Sequence, residues 1–141
     1  MCVFCRIVAG ELPATVVAEG RKVIAILDIN PVNKGHTLVI SKEHYTDITE
    51  VPKEVLCEAV TVAKEIAKNM KEKLGADGVN LFQTNGKAAG QEVFHFHLHV
   101  IPRYRKDGVK FKFPVTKYRG DEEKKSICKK LRVVDGDCDK G

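Results

Sequence analysis

The sequence contains no tryptophan and few other aromatic residues, 6% of its 141 positions. No basic stripe is interleaved with stacking rings, the arrangement a single-strand nucleic-acid binder needs, so that class is set aside. No apolar run approaches the roughly 20 residues that cross a bilayer. The first dozen residues include Arg6 and Glu11, with no apolar core running into a small-residue cleavage site, so nothing there reads as a secretory leader. Internal repeats and low-complexity segments are also missing. The expectation is a cytoplasmic protein with neither a membrane nor a nucleic acid as partner.

The length suits one domain with a real core, and 43% hydrophobic with 30% charged residues is ordinary globular composition. A net charge of +5 fits an anionic ligand, although much of the excess lies between Arg103 and Arg132 and reads as solvated surface. Five cysteines are an odd number in a chain large enough to fold without staples. That favours free or metal-bound thiols in a reducing compartment.

Histidine is scarce and unevenly spent: five in all, at 36, 44, 95, 97 and 99. The last three alternate with apolar residues through His95-Phe96-His97-Leu98-His99-Val100-Ile101, ending at Pro102. Period two is the signature of a strand, with Phe96, Leu98 and Val100 facing a core and the three imidazoles sharing the other face. Neighbours on that face stand about 6 to 7 Å apart, near the span of a phosphate group. Two plainer readings stay open at this point: a half-exposed strand whose polar positions happen to be histidine, and a catalytic metal held by all three rings.

Elsewhere, Val3, Phe4, Ile7 and Val8 fit one face of a short helix that Gly10 and Pro13 end. The pair Cys2 and Cys5 could share a metal ion if two more ligands arrive, or could simply pack. Thr15 to Glu19 and Lys22 to Asp28 read as a hairpin about Gly20-Arg21, and Asp28 leaves the sheet ahead of Pro31, as ligand or as Asx turn. Leu38 to Ile40 reads as a third strand flanked by His36 and His44. Pro52 opens a long amphipathic helix that runs to Gly75, with Cys57 and Met70 as packing residues. Val79 to Thr84 reads as a fourth strand, followed by a small-residue loop, Asn85 to Glu92, able to offer backbone N–H groups to an anion. Residues 103 to 120 read equally as strand, arm or loop. Asp121 to Leu131 reads as a helix and 135 to 141 as a frayed tail.

The histidine strand, Cys2 to Cys5, Leu27-Asp28-Ile29-Asn30-Pro31, Gly35 to Ile40 and Asn85 through Pro102 together resemble the histidine triad family of nucleotide hydrolases and transferases. The resemblance covers roughly the first 105 residues. It implies an α+β fold, a five-stranded antiparallel sheet with one long helix, usually paired into a homodimer. Residues 1–105 would form the triad domain, and 106–141 a C-terminal extension with a short helix, part of the same domain.

The same resemblance assigns roles. His97 would form a nucleotidyl-imidazole at the α-phosphate, which water then hydrolyses. A neutral imidazole attacks well near neutral pH and leaves well afterwards. His99 would donate to a phosphate oxygen, the Val93 N–H and Asn85 amide would complete a cradle with Gly90 and Gln91, and His36 would orient His97 from behind. Asp28 would accept from the ribose hydroxyls, with Ile29 against a purine and AMP as the product. Cys2, Cys5, His44 and His95 would hold a structural zinc, as in the prokaryotic branch. Glu92 departs from the hydroxyl residue frequent in the phosphoramidate-cleaving branch, and a protonated carboxyl there would serve the leaving group. Nucleoside phosphoramidates or aminoacyl-adenylates are the expected substrates. The alternatives are dinucleoside polyphosphates and, from another class, a nucleotide-binding regulatory or scaffold protein.

Overall fold

In a computed structural model that describes residues 2–140, the chain forms two compact units, the first ending at Val109 and the second beginning at Lys110. The first unit is built on a five-stranded antiparallel sheet in the order β1-β2-β3-β5-β4. Its strands are β1 (Val16–Glu19), β2 (Val23–Leu27), β3 (Thr37–Ser41), β4 (Gly78–Phe82) and β5 (His97–Arg103). A short helix α1 (Val3–Val8) and a long helix α2 (Lys53–Lys73) complete it. The fold is the α+β arrangement expected.

Alternation along the central strands divides the core in two. Val23, Ala25 and Val39 point one way, join Phe96 and Val100, and pack on Val55, Ala59, Ala63, Ile66 and Met70 of α2. Ile24, Ile26, Leu38 and Ile40 point the other way and pack on Phe4 of α1. Successive strand residues face opposite sides, so one sheet carries a thick core under α2 and a thinner one under α1. The histidine face belongs to the thinner side. Ladder pairing begins only at His97, which lies opposite Ile40. Upstream, the Phe96 N–H donates to the Tyr45 carbonyl and its own carbonyl accepts from Ser41, so His95 is fixed beside the end of β3 without being in the ladder.

Gly20 makes the first hairpin possible. A Cβ there would stand 2.9 to 3.1 Å from the Glu58 carboxylate, which reaches over from α2 to accept the Arg21 and Lys22 N–H groups. Gly35, with φ +101°, sits in the left-handed region just ahead of His36, where a Cβ would also meet Leu74 at 2.9 Å.

The second unit has no regular structure before α3 (Asp121–Leu131), which matches the sequence reading. Asp121, Glu122 and Glu123 open that helix and Lys129 and Lys130 close it, complementing its dipole. Two expectations fail here. Cys128 and Cys138 form a disulfide, so the thiols are not all free or metal-bound, and that bond together with a Lys125–Asp139 ion pair of 3.3 Å ties back the segment expected to fray. The two cysteines are ten residues apart across a helix end, a separation that marks no pairing by itself. Among the described residues no helix is long and apolar enough to cross a membrane.

Candidate active site and metal centre

On the α1 side of the sheet lies a cleft of about 440 Å³, a size that accepts a small-molecule ligand. His97 and His99 form its polar floor, Asp28, Ile29, Gly90, Glu92 and Val93 its rim, and Phe4, Ile7, Ile26 and Leu38 much of its apolar wall. Of the residues singled out in the sequence for nucleotide contact, Asn85 and Gln91 do not line it. Asn85 accepts from the Ile48 N–H at 2.8 Å and is tied to Gln83, while buried Gln91 accepts from the Gly86 N–H and donates to the carbonyls of Thr46 and Val93. Both build the loop that presents Gly90, Glu92 and Val93. The wall residues Val3, Phe4, Ile7, Leu38 and Phe82 were not expected at the site. The helical spacing of Val3, Phe4 and Ile7 was visible, but not which side of the sheet α1 would cover.

His36, His95 and His97 are each fixed by a main-chain group and His99 by His36, and these partners determine the tautomers. The Nδ1 of His97 lies 2.7 Å from the carbonyl of His95, and a carbonyl only accepts, so Nδ1 bears the proton and Nε2 the lone pair. In His95 it is Nε2 that lies 2.7 Å from a carbonyl, that of Ser41, which leaves the lone pair on Nδ1. His36 is the reverse case: the Val32 N–H donates to its Nδ1 at 3.0 Å, so Nε2 bears the proton. That Nε2 lies 2.9 Å from Nδ1 of His99, which therefore accepts, and the remaining proton of His99 sits on its Nε2. His36 thus orients His99, not His97 as expected from the sequence. The His97 ring is oriented instead by its Nδ1–H bond to the His95 carbonyl, and the Phe4 ring lies beside it, edge-on, with centroids 5.0 Å apart.

Burial lowers the pKa of all four rings, so they are neutral at physiological pH. For His36 and His97 the nearby Asp28 charge opposes the shift, and for His97 and His95 so do their carbonyl hydrogen bonds. His99 moves furthest, to about 4, through burial first and then the neighbouring imidazoles His97 and His36, against the pull of Asp28. Asp28 accepts the Asn30 N–H at 2.8 Å through Oδ1, the Asx turn considered from sequence, and its Oδ2 stands 3.6 Å from His36 Nε2. A carboxylate at the cleft rim with acceptor capacity to spare suits vicinal hydroxyls.

Two clusters among the described residues bring three or more possible metal donors within 4.8 Å of one another. In the first, Cys2, Cys5, His44 and His95, sulfur–nitrogen separations run from 3.2 to 3.6 Å and the sulfurs lie 3.1 Å apart. Donors around a tetrahedral zinc, at bond lengths of about 2.0 to 2.3 Å, would stand about 3.3 to 3.8 Å from each other. His95 offers its bare Nδ1 while donating through Nε2 to the Ser41 carbonyl, the hydrogen bond by which a metal-bound imidazole is held in orientation. The Cys5 thiol is held above its usual range, chiefly by its hydrogen bond with Cys2 and by burial. The donor set fits zinc. The second cluster, Asp28, His36 and His99, does not fit a metal: with Nδ1 of His36 taken by Val32, ligation through Nε2 would demand an imidazolate. It is a proton network, and with His95 turned to the thiols, a metal held by His95, His97 and His99 together is excluded as well.

Paired imidazoles on one strand, one with a bare nitrogen and one with an N–H, beside a carboxylate at the cleft rim, define a histidine triad protein. A family model described as the HIT domain matches residues 9–106, and the chain belongs to that family. It is 52% identical over 113 residues to an uncharacterised HIT-like protein of Methanocaldococcus jannaschii, covering 80% of this chain and 87% of that one. It is 41% identical over 106 residues to adenylylsulfatase HINT3 of Arabidopsis thaliana, covering 75% and 54%. Among solved structures, a Zn-bound histidine triad family protein from Mycobacterium smegmatis superposes with a TM-score of 0.74 at 46% identity, over 79% of this chain and 81% of that one.

Proposed function

We propose that the protein is a hydrolase or transferase acting at the α-phosphate of purine ribonucleotide conjugates through a nucleotidyl intermediate on His97. The observation that carries this reading is the pair of opposed tautomers on the cleft floor. His97 offers a lone pair on Nε2 with its proton locked behind it on the His95 carbonyl, and His99 offers an N–H on Nε2.

With the base against the apolar wall and Ile29, and the ribose hydroxyls on Asp28, the α-phosphate falls to the two imidazoles. His97 Nε2 attacks phosphorus, the N–P bond forms, and the bond to the leaving group breaks with its electron pair. His99 Nε2–H and the Val93 N–H stabilise the charge that develops on the non-bridging oxygens. The leaving amine or alkoxide needs a proton, and we assign its delivery to Glu92, which lines the cleft. Water then attacks the same phosphorus, giving a proton back to the Glu92 carboxylate, N–P breaks with its electron pair returning to His97 Nε2, and a nucleoside monophosphate such as AMP is released with both side chains regenerated. The Arabidopsis relative is an adenylylsulfatase by name, which supports adenylyl chemistry as the reading for this chain. Zinc on Cys2, Cys5, His44 and His95 would supply a cross-link to the fold, and every step above belongs to side chains and backbone of this chain. The homodimer implied by the family resemblance is part of this reading.

The test is rapid quench with α-labelled adenosine 5′-phosphoramidate, lysyl-adenylate and diadenosine polyphosphates in parallel. Acid-labile label on the wild type, absent in His97→Ala while AMP still binds, is the expected result. Label retained by His97→Ala would overturn the mechanism, and the relative rates across the three classes identify the leaving group.

A further inference from the structure

The metal cluster and the cleft meet in one helix. Cys2 caps α1 and Cys5 lies in its first turn, with the Cys2 thiol accepting the Cys5 N–H at 3.2 Å. From the same six residues, Val3, Phe4 and Ile7 line the cleft. Phe4 is the one buried residue of the helix, and its ring meets His95 at 5.8 Å and His97 at 5.0 Å, so it is wedged between a metal donor and the attacking imidazole. A helix of six residues is far below the length that holds together alone. It is pinned to the sheet by Phe4 and by whatever binds the sulfurs to His44 and His95, which come from beyond β3 and ahead of β5.

We propose that metal occupancy of Cys2, Cys5, His44 and His95 sets the affinity of the cleft for the nucleoside base, by holding α1 in place as its wall. The proposal rests on the nucleotide reading above and assigns a regulation to that same site. The polar floor does not depend on the clamp in the same way. His97 hangs on a backbone carbonyl, His99 on His36, and Asp28 stands at the end of β2. Removing the metal should therefore separate two halves of recognition, with the base losing its wall while the ribose phosphate keeps its partners. If α1 is ordered in only about a tenth of metal-free molecules, the apparent affinity for a ligand that needs it falls about tenfold. Phe4 is accordingly a positioning residue for the base, and chain order at 3–8 is the variable the metal controls.

The experiment compares zinc-loaded wild type with zinc-free protein, made both by chelation and as His44→Ala, whose replaced side chain is exposed and so leaves the core intact. Elemental analysis fixes the metal content and circular dichroism confirms folding. Calorimetry then measures binding of AMP and of ribose 5-phosphate, and hydrogen exchange follows the amides of residues 3–8. The expected result is fivefold or greater weakening for AMP, less than twofold change for ribose 5-phosphate, and faster exchange confined to α1. In turnover the same loss should fall on KM with kcat nearly unchanged. Phe4→Ala, tested with zinc retained, should reproduce the selective loss of AMP. Equal AMP affinity with and without zinc, or unchanged exchange at 3–8, would overturn the clamp. Should the zinc-loaded wild type bind no ribonucleotide, the nucleotide reading falls, while exchange at α1 still decides whether the metal orders the wall.

Discussion

Lowering the pH from 7.5 to 4.5 should cost the fold about 2 kcal/mol through His99 alone. In the folded protein its pKa is about 4, against 6.5 ordinarily, because burial and two neighbouring imidazoles oppose a charge there. At pH 7.5 the ring is neutral whether the chain is folded or not, so it makes no difference. Below 6.5 the unfolded chain takes up a proton that the folded one refuses, and stability falls until the pH passes the folded value near 4. At pH 4.5 the full displacement amounts to about 2.5 kcal/mol, and the ring's partial opening to the cleft reduces that to about 2. Urea unfolding of wild type and of His99→Gln at both pH values isolates the contribution, since zinc release and carboxylate protonation are common to both proteins. The wild type should lose about 2 kcal/mol more than the variant. Parallel losses would refute the claim that the neutral ring is enforced by its surroundings.

Other changes follow from the same geometry. Asp28→Ala should weaken AMP about tenfold yet leave the 2′,3′-dideoxy analogue nearly unaffected, and equal losses in a calorimetric titration would reject the ribose contact. Glu92→Gln should slow substrates with poor leaving groups more than those with good ones, a difference that steady-state rates on a graded series would show, whereas a uniform loss would remove its role as proton donor. Phe96→Ala, in the core beneath α2, should cost about 3 to 5 kcal/mol in urea unfolding, and a cost under 1 kcal/mol would mean the strand had been assigned to the wrong face. Cys5→Ser should abolish the binding of one zinc per chain and lower the melting temperature, while label on His97 stays detectable below that temperature; full zinc retention by elemental analysis would reject the ligand set.

Much of this was legible in the sequence because period-two alternation is a direct consequence of backbone geometry. Phe96, Leu98 and Val100 could be sent to the core, and α3 placed at Asp121–Leu131, from pattern alone. What stayed hidden depends on contacts between distant segments. Nothing in the spelling of His36 distinguishes a bond to His99 from one to His97, since the choice is made by the Val32 N–H and by β3–β5 register. Polar residues in a small-residue loop look alike whether they touch ligand or hold the loop, so nothing local corrects the family resemblance, which implies ligand contacts for Asn85 and Gln91. The Cys128–Cys138 pairing has no local signature either.

The locking of His36, His95 and His97 by main-chain atoms has a consequence for drift over long descent. A tautomer set by a neighbouring side chain can be lost in one substitution, but the carbonyls at 41 and 95 are present whatever residues stand there, and the N–H at 32 is lost only to proline. As long as the backbone path persists, the residues around these rings are free to change without reversing which nitrogen bears the proton. A lineage can therefore alter the rim of the cleft while inheriting the same pattern of bare and protonated ring nitrogens on its floor, with the sheet itself as the keeper of that pattern.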